Sequence, residues 1–295
     1  MHDFDFLQPT TVAEASRLLA EFGDEARLMA GGTALMLALR QRMVAPGQVI
    51  SLARMRPDQG LHGLHYDPVR GLRIGALTRH VDLARSLWVQ RHYPSLAYMA
   101  SHMANPQVRH QGTLGGNLCY ADPATDPPTC LLSLGARVVL ASAHGERELP
   151  LEDFLVDYYV TALAPDELVR EIRVPPPPAD GAARYTRFLR TAAEHRPLVN
   201  VALAVRRQGM TCVEARLVVG ASTPVPTRQR AAEERLRGRL ITPDLVAEVA
   251  ASVAADLPVL SDQRGSAEHR RAMVNVVTRR TLAALFDLPN ENETL

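Results

Sequence analysis

Apolar residues recur along this chain with two periods, and the switches between them mark out its elements. From Thr11 the pattern is helical: Ala15, Leu18, Leu19 and Phe22 form one stripe, Thr11 and Glu14 have capping-box spacing, and Gly23 suits the C-cap. A short strand from Arg27 to Ala30 follows, then a glycine pair, a helix over 35–40 and a strand over 48–52. Residues 72–76 read as a strand, Thr78 as the cap of a helix reaching Leu87, and Pro94 as the first turn of a helix continuing toward Met103. The pattern then predicts a helix over 127–134, a buried strand over 136–141 and an alternating strand over 168–174.

Four consecutive prolines, Pro175 to Pro178, stop regular structure, and with Ala179-Asp180-Gly181 they form the best linker in the chain. Beyond it, runs over 184–189, 199–206 and 212–219, with Gly209 as a turn, read as an antiparallel meander. Helices are expected over 227–237, 243–254 and 266–286, the last capped by Ser266. The C-terminal half is thus a small sheet covered by helices. Only the polar tail from Asn290 to Leu295 is expected to lie outside the folded part.

Composition removes whole classes of function. The 295 residues, 46% of them hydrophobic, are enough for roughly two packed domains. The 33 basic residues balance 32 acidic ones, so no field attracts nucleic acid or an anionic membrane. Every one of those basic residues is arginine, which excludes a P-loop lysine, a Schiff-base lysine and a lysine general base. Cys119, Cys130 and Cys212 are too few and too scattered for an iron–sulfur or structural zinc site, and the histidines lack partners at metal spacing, so no metal site is expected. The start, Met1 to Phe6, lacks the form of a secretory signal, and no apolar run approaches the ~20 residues that span a bilayer. A cytoplasmic location is the expectation.

Two glycine pairs carry the candidate chemistry. They lie in Ala30-Gly31-Gly32-Thr33 and in Thr113-Leu114-Gly115-Gly116-Asn117. Paired glycines allow positive φ and close approach, so each can form a nest of converging amide N–H groups, and two nests suit a diphosphate. The Thr33 and Thr113 hydroxyls and the Asn117 carboxamide would add neutral donors. Neither pair extends to G-x-G-x-x-G, so a Rossmann turn is not indicated. Asp126 follows the second pair and offers a carboxylate to ribose hydroxyls, or else caps the helix that begins near Pro127.

These stretches resemble a known family. Met29-Ala30-Gly31-Gly32-Thr33-Ala34-Leu35 and Gln107-Val108-Arg109-His110-Gln111-Gly112-Thr113-Leu114-Gly115-Gly116-Asn117-Leu118 are similar to the two flavin-binding signatures of the FAD subunit, or medium subunit, of molybdenum hydroxylases. That group includes xanthine and carbon monoxide dehydrogenases. Further similar patterns follow in order at Asp166-Glu167-Leu168-Val169, Pro224-Val225-Pro226-Thr227-Arg228 and Arg264-Gly265-Ser266-Ala267-Glu268-His269-Arg270-Arg271.

The resemblance implies an α+β fold: a two-subdomain FAD-binding domain of vanillyl-alcohol-oxidase (PCMH) type over 1–176, followed by a smaller α+β C-terminal domain over 177–290. It places Leu28, Met29, Ala30, Gly31, Gly32, Thr33, Ala34 and Leu35, with Thr113, Leu114, Gly115, Gly116 and Asn117, around the FAD diphosphate. Asp126 would meet the ribose, Val169 the flavin end, and Met103 the ring system. Val169 and Met103 would look the same as core residues. Arg187 stands where the family often has lysine, which keeps the charge but changes its geometry. The implied partners are a molybdopterin-binding large subunit and a 2Fe-2S small subunit, which deliver electrons through FAD to a terminal acceptor. Outer electron transfer needs no side-chain acid or base, so no catalytic residue is assigned. The competing reading is a self-contained FAD-dependent oxidase or reductase on the same fold, with Tyr158, Tyr159 and Tyr185 as its acid–base candidates.

Overall fold

The structure, a computed structural model, describes residues 3–289, so the tail from Asn290 lies outside the described residues. The chain opens with β1 (Asp5–Leu7), α1 (Val12–Phe22), β2 (Ala26–Met29), α2 (Leu35–Arg40) and β3 (Gln48–Ser51). Thr11 caps α1 through its hydroxyl, which accepts from the Glu14 N–H, and Gly23 closes it at φ +51°. The reciprocal bond of the capping box shifts by one residue, with Glu14 accepting from the Thr10 N–H at 2.8 Å.

Next come β4 (Leu64–Asp67), β5 (Gly71–Gly75) and α3 (His80–Arg85). Thr78 is not the cap expected of it. Its hydroxyl donates to the Gly63 carbonyl at 2.9 Å, and a separate helix, α4 (Leu87–His92), starts at Ser86. α5 (Pro94–His102) has its proline in the first turn as expected. Asn105 then caps α6 (Pro106–Gln111) and Thr113 caps α7 (Leu114–Tyr120). The chain continues through α8 (Pro127–Ser133), β6 (Arg137–Ser142), β7 (Gly145–Pro150), α9 (Leu151–Phe154), β8 (Leu155–Asp157), β9 (Val160–Thr161) and β10 (Leu168–Val174). After the prolines come β11 (Gly181–Phe188), β12 (Val199–Gln208), β13 (Thr211–Gly220), β14 (Thr227–Arg228), α10 (Arg230–Leu236), β15 (Arg239–Leu240), α11 (Pro243–Asp256) and α12 (Ala267–Leu285).

These elements form two compact units that interleave along the chain. The first comprises residues 1–83, 105–121 and 136–175. It contains a parallel sheet ordered β1-β3-β2 and an antiparallel sheet ordered β4-β5-β10-β6-β7. Leu19, Ala26 and Ile50 close the small parallel sheet against α1, while Ala15, Leu52, Leu61, Leu77 and Leu168 form a neighbouring core.

The second unit comprises, among the described residues, 84–104, 122–135 and the chain from 176 onward. Its antiparallel sheet is ordered β11-β12-β13-β14, with β15 added to β13. Val199, Val201, Leu203 and Val205 alternate along β12 and meet Val249 and Val253 of α11 and Val274 and Val277 of α12. Asn200 and Ala202 point to the opposite face and are buried as well. Helix α8 covers that face, where the Thr129 hydroxyl donates to the Asn200 side-chain oxygen at 2.8 Å. A sheet apolar on both faces needs two covers. The second comes from a segment some seventy residues upstream, which is why the units interleave.

Candidate functional site

The first glycine pair sits where β2 turns into α2. Gly32 takes φ +69°, which only glycine adopts without strain, and its carbonyl accepts from the Met36 N–H at 3.0 Å. Among the described residues, none accepts a hydrogen bond from the backbone N–H groups of Gly31, Gly32, Thr33, Ala34 or Leu35. Five successive donors in a half-buried turn are left without an acceptor among the described residues and could serve a ligand.

The second pair works differently from the sequence-based expectation. Gly115 and Gly116 lie in the first turn of α7, and neither takes a positive φ. Their amides are already used: Leu114 N–H donates to Thr78 O at 2.9 Å, Gly115 N–H to Ala76 O at 2.8 Å, Gly116 N–H to the Thr113 hydroxyl at 3.2 Å and Asn117 N–H to Thr113 O at 3.0 Å. This pair is therefore not an amide nest. The glycines are required because another chain segment passes too close for a side chain: a Cβ on Gly115 would lie 2.6 Å from the Ala76 Cβ and 2.8 Å from its carbonyl oxygen.

What the two signatures share is contact. A Cβ on Gly31 would lie 2.1 Å from the Gln111 carbonyl oxygen, one on Gly112 would lie 3.4 Å from the Thr33 hydroxyl, and one on Gly116 would lie 3.6 Å from the Ala30 Cβ. Segments about eighty residues apart thus meet within the first unit. Beside them, the Asn117 carboxamide oxygen is buried with no hydrogen-bond partner. Turning that amide over presents its NH2 in the same place, a donor suited to a phosphate oxygen. Leu28 packs into the adjoining cores and Leu114 is wholly buried, so these two shape the turns through their side chains. Val169, on β10, is buried in the strand that packs against α7.

Met103, Asp126 and Arg187 belong to the second unit, where Asp126 and Arg187 form an ion pair. Asp126 stands at the N-cap position of α8, but its side chain makes no capping bond. Its carboxylate, 2% exposed, accepts from the Tyr185 hydroxyl at 2.5 Å and pairs with the Arg187 guanidinium at 3.4 Å. Burial raises the Asp126 carboxyl to about 6, against the opposing pull of Arg187 and Tyr185. The Tyr185 hydroxyl is in turn pushed well above its ordinary value, by burial first and then by Asp126. The Arg187 side chain is only 8% exposed. It donates to the carbonyls of His102 and His195, and its Nε is sealed without a partner. Met103 directly follows α5 and is buried.

The three tyrosines considered for an acid–base role fall in different units. Tyr185 is committed to Asp126 in the second unit, while Tyr158 and Tyr159 occupy the β8–β9 hairpin of the first, with Tyr159 edge-on to Tyr120. Sequence reasoning passed over His80, a buried imidazole beside Gly112. Its signal was a histidine at the head of an apolar helical stretch. No helix among the described residues is long and apolar enough to cross a membrane.

Comparison with known proteins matches both halves of the chain. Residues 2–177 match the family described as the FAD binding domain in molybdopterin dehydrogenase, and residues 184–285 match the CO dehydrogenase flavoprotein C-terminal domain. The chain is 33% identical to the 6-hydroxypseudooxynicotine dehydrogenase complex subunit alpha of Paenarthrobacter nicotinovorans, across 95% of this chain and 93% of that protein. It is 30% identical to the carbon monoxide dehydrogenase medium chain of Hydrogenophaga pseudoflava, across 96% and 97%, and 28% identical to the xanthine dehydrogenase FAD-binding subunit of Escherichia coli O157:H7, across 96% of each. Among solved structures, a chain of the Hydrogenophaga pseudoflava carbon monoxide dehydrogenase lacking the Mo-pyranopterin moiety superposes with a TM-score of 0.91 at 32% identity, covering 96% of this chain and 97% of that one. The expected two-part FAD-binding architecture is thereby borne out.

Proposed function

Since the chain belongs to the FAD-binding subunits of the molybdenum hydroxylases, of carbon monoxide and xanthine dehydrogenase type, we propose that it is the electron-exit subunit of such an enzyme. It is an oxidoreductase subunit and its cofactor is FAD. In this reading a molybdopterin-binding large subunit oxidises the organic substrate, a 2Fe-2S small subunit relays the electrons, and a terminal acceptor takes them from this chain. Bound FAD supplies the redox chemistry between those two ends. The protein's own contribution is to hold and orient it. Residues 1–176 carry the binding signatures and 177–290 the C-terminal module.

One observation supports this reading above the others: unpaired amides from Gly31 to Leu35 lie against the α6–α7 turn, with the unpartnered Asn117 carboxamide beside them. Those groups fit a diphosphate bound by main-chain donors. Thr33 adds a hydroxyl, while Thr113 is spent on capping α7.

The test is anaerobic mixing of the FAD-loaded chain with two kinds of donor. A dithionite-reduced 2Fe-2S partner subunit should reduce the flavin, and organic substrates alone should leave it oxidised. Bleaching of the isolated chain by an organic substrate would establish the oxidase reading in its place.

A further inference from the structure

His80 is 2% exposed, and its Nδ1 is sealed from solvent with no hydrogen-bond partner. No described residue is bonded to its Nε2, which unlike Nδ1 is not sealed. A sealed imidazole nitrogen without a partner is costly, and native structures rarely leave one without a reason. Burial also drives its basicity down to about 4, so the ring is neutral near pH 7 and has one N–H donor and one bare acceptor.

Its surroundings supply a reason. The His80 backbone N–H donates to the Gly112 carbonyl at 3.3 Å, and the ring presses on the same residue, with Cδ2 3.3 Å from where a Gly112 Cβ would stand. The Thr33 hydroxyl lies 3.4 Å from that point. His80 and the amide turn therefore flank one glycine from two sides. Nε2 is the atom bonded directly to the contacting Cδ2. The fully sealed Nδ1 is better left as the acceptor, because an orphaned N–H is rarer than an orphaned acceptor.

We propose that His80 is a further cofactor-binding residue of this cradle, with its Nε2–H donating, directly or through one water, to a phosphate oxygen of bound FAD. The inference rests on the FAD-binding reading above. It makes the histidine a working part of the α6–α7 turn, where a packing role alone would be served by leucine or phenylalanine.

The full-length chain labelled with 15N-histidine tests this during titration with FAD, with H80Q used to assign the His80 signals. Saturation should shift the His80 Nε2 resonance, and H80F should raise the FAD dissociation constant by roughly ten- to a hundredfold, the range for a hydrogen bond to a charged group. H80Q, whose amide can still donate, should recover most of the affinity. An Nε2 resonance unmoved at saturating FAD overturns the inference, as does an H80F dissociation constant within twofold of the parent. If H80F fails to fold, the resonance of the unsubstituted chain decides. A parent chain that takes up no FAD sinks the reading beneath this one; a parent that binds FAD while Nε2 stays unchanged sinks only the role of His80.

Discussion

Gly31→Ala is the most demanding test of the cradle, because it adds one methyl group and no charge. The new carbon would lie 2.1 Å from the Gln111 carbonyl oxygen and 2.9 Å from the Gly112 Cα. Carbon–oxygen contacts tighter than about 3 Å are not tolerated, so the β2–α2 and α6–α7 turns must separate by roughly 1 Å. Both neighbours are backbone, so no side chain can rotate away. Overpacking of this kind costs about 1–3 kcal/mol. If 2–3 kcal/mol of strain is relieved by opening the cradle, the closed, binding-competent form falls to a few per cent or less, and the apparent dissociation constant for FAD rises roughly 30- to 150-fold. Quenching of FAD fluorescence on titration with the full chain measures this, with circular dichroism melts run alongside. Gly63→Ala is the control: its φ of +88° costs about 1–2 kcal/mol of stability, but nothing stands within 4 Å of the new methyl. It should melt earlier and bind FAD within threefold of the parent. A folded Gly31→Ala protein with parental FAD affinity would refute the idea that contact between the turns shapes the site.

Three further predictions follow from other parts of the structure. Thr113→Ala removes the hydroxyl that accepts from the Gly116 N–H, and should cost about 1 kcal/mol, read as a melting temperature lower by a few degrees. Burial pushes the Asp126 carboxyl up to about 6 in the folded chain from its ordinary 3.8, so its contribution to stability is full below pH 3.8 and is lost as pH rises through 6. The difference in unfolding free energy between Asp126→Asn and the parent should therefore change by about 3 kcal/mol from pH 3.5 to pH 7, in favour of the variant at the higher pH; a flat difference would show that Asp126 is not desolvated as described. Arg270→Ala should destabilise the second unit by about 3–5 kcal/mol in urea titrations, because this buried guanidinium donates to the Leu198 and Ala221 carbonyls and pairs with Asp262.

Local elements were legible where one face is apolar and a cap stands at the end. The bounds expected for α2 and β10 agree with the structure, and Ser266 caps α12 through the His269 N–H. Strand β7 gave no such signal: Glu146, Arg147 and Glu148 are held by ion pairs to Arg170, Glu167 and Arg137, so nothing apolar alternates. The caps Ser86 and Asn105 were in plain view, but the helices they start have only six residues each. The glycine pairs were found for one reason and one of them is needed for another. Positive φ explains Gly32, whereas Gly115 answers to Ala76, nearly forty residues away, and such a clash cannot be read from local sequence. The interleaving of the units was hidden for the same cause, since nothing near Thr129 announces that it will cover Asn200.

The turn from Gly31 to Leu35 offers only neutral donors, its peptide hydrogens and the Thr33 hydroxyl, and this sets how the holoprotein should respond to its medium. Attraction between opposite charges fades as ions are added, but a pocket of fixed peptide dipoles has little such attraction to lose. Dialysis against strong salt should therefore leave the cofactor in place. A chain devoid of lysine would sacrifice nothing at this turn if, as proposed, its shape and not its side-chain charge holds the diphosphate.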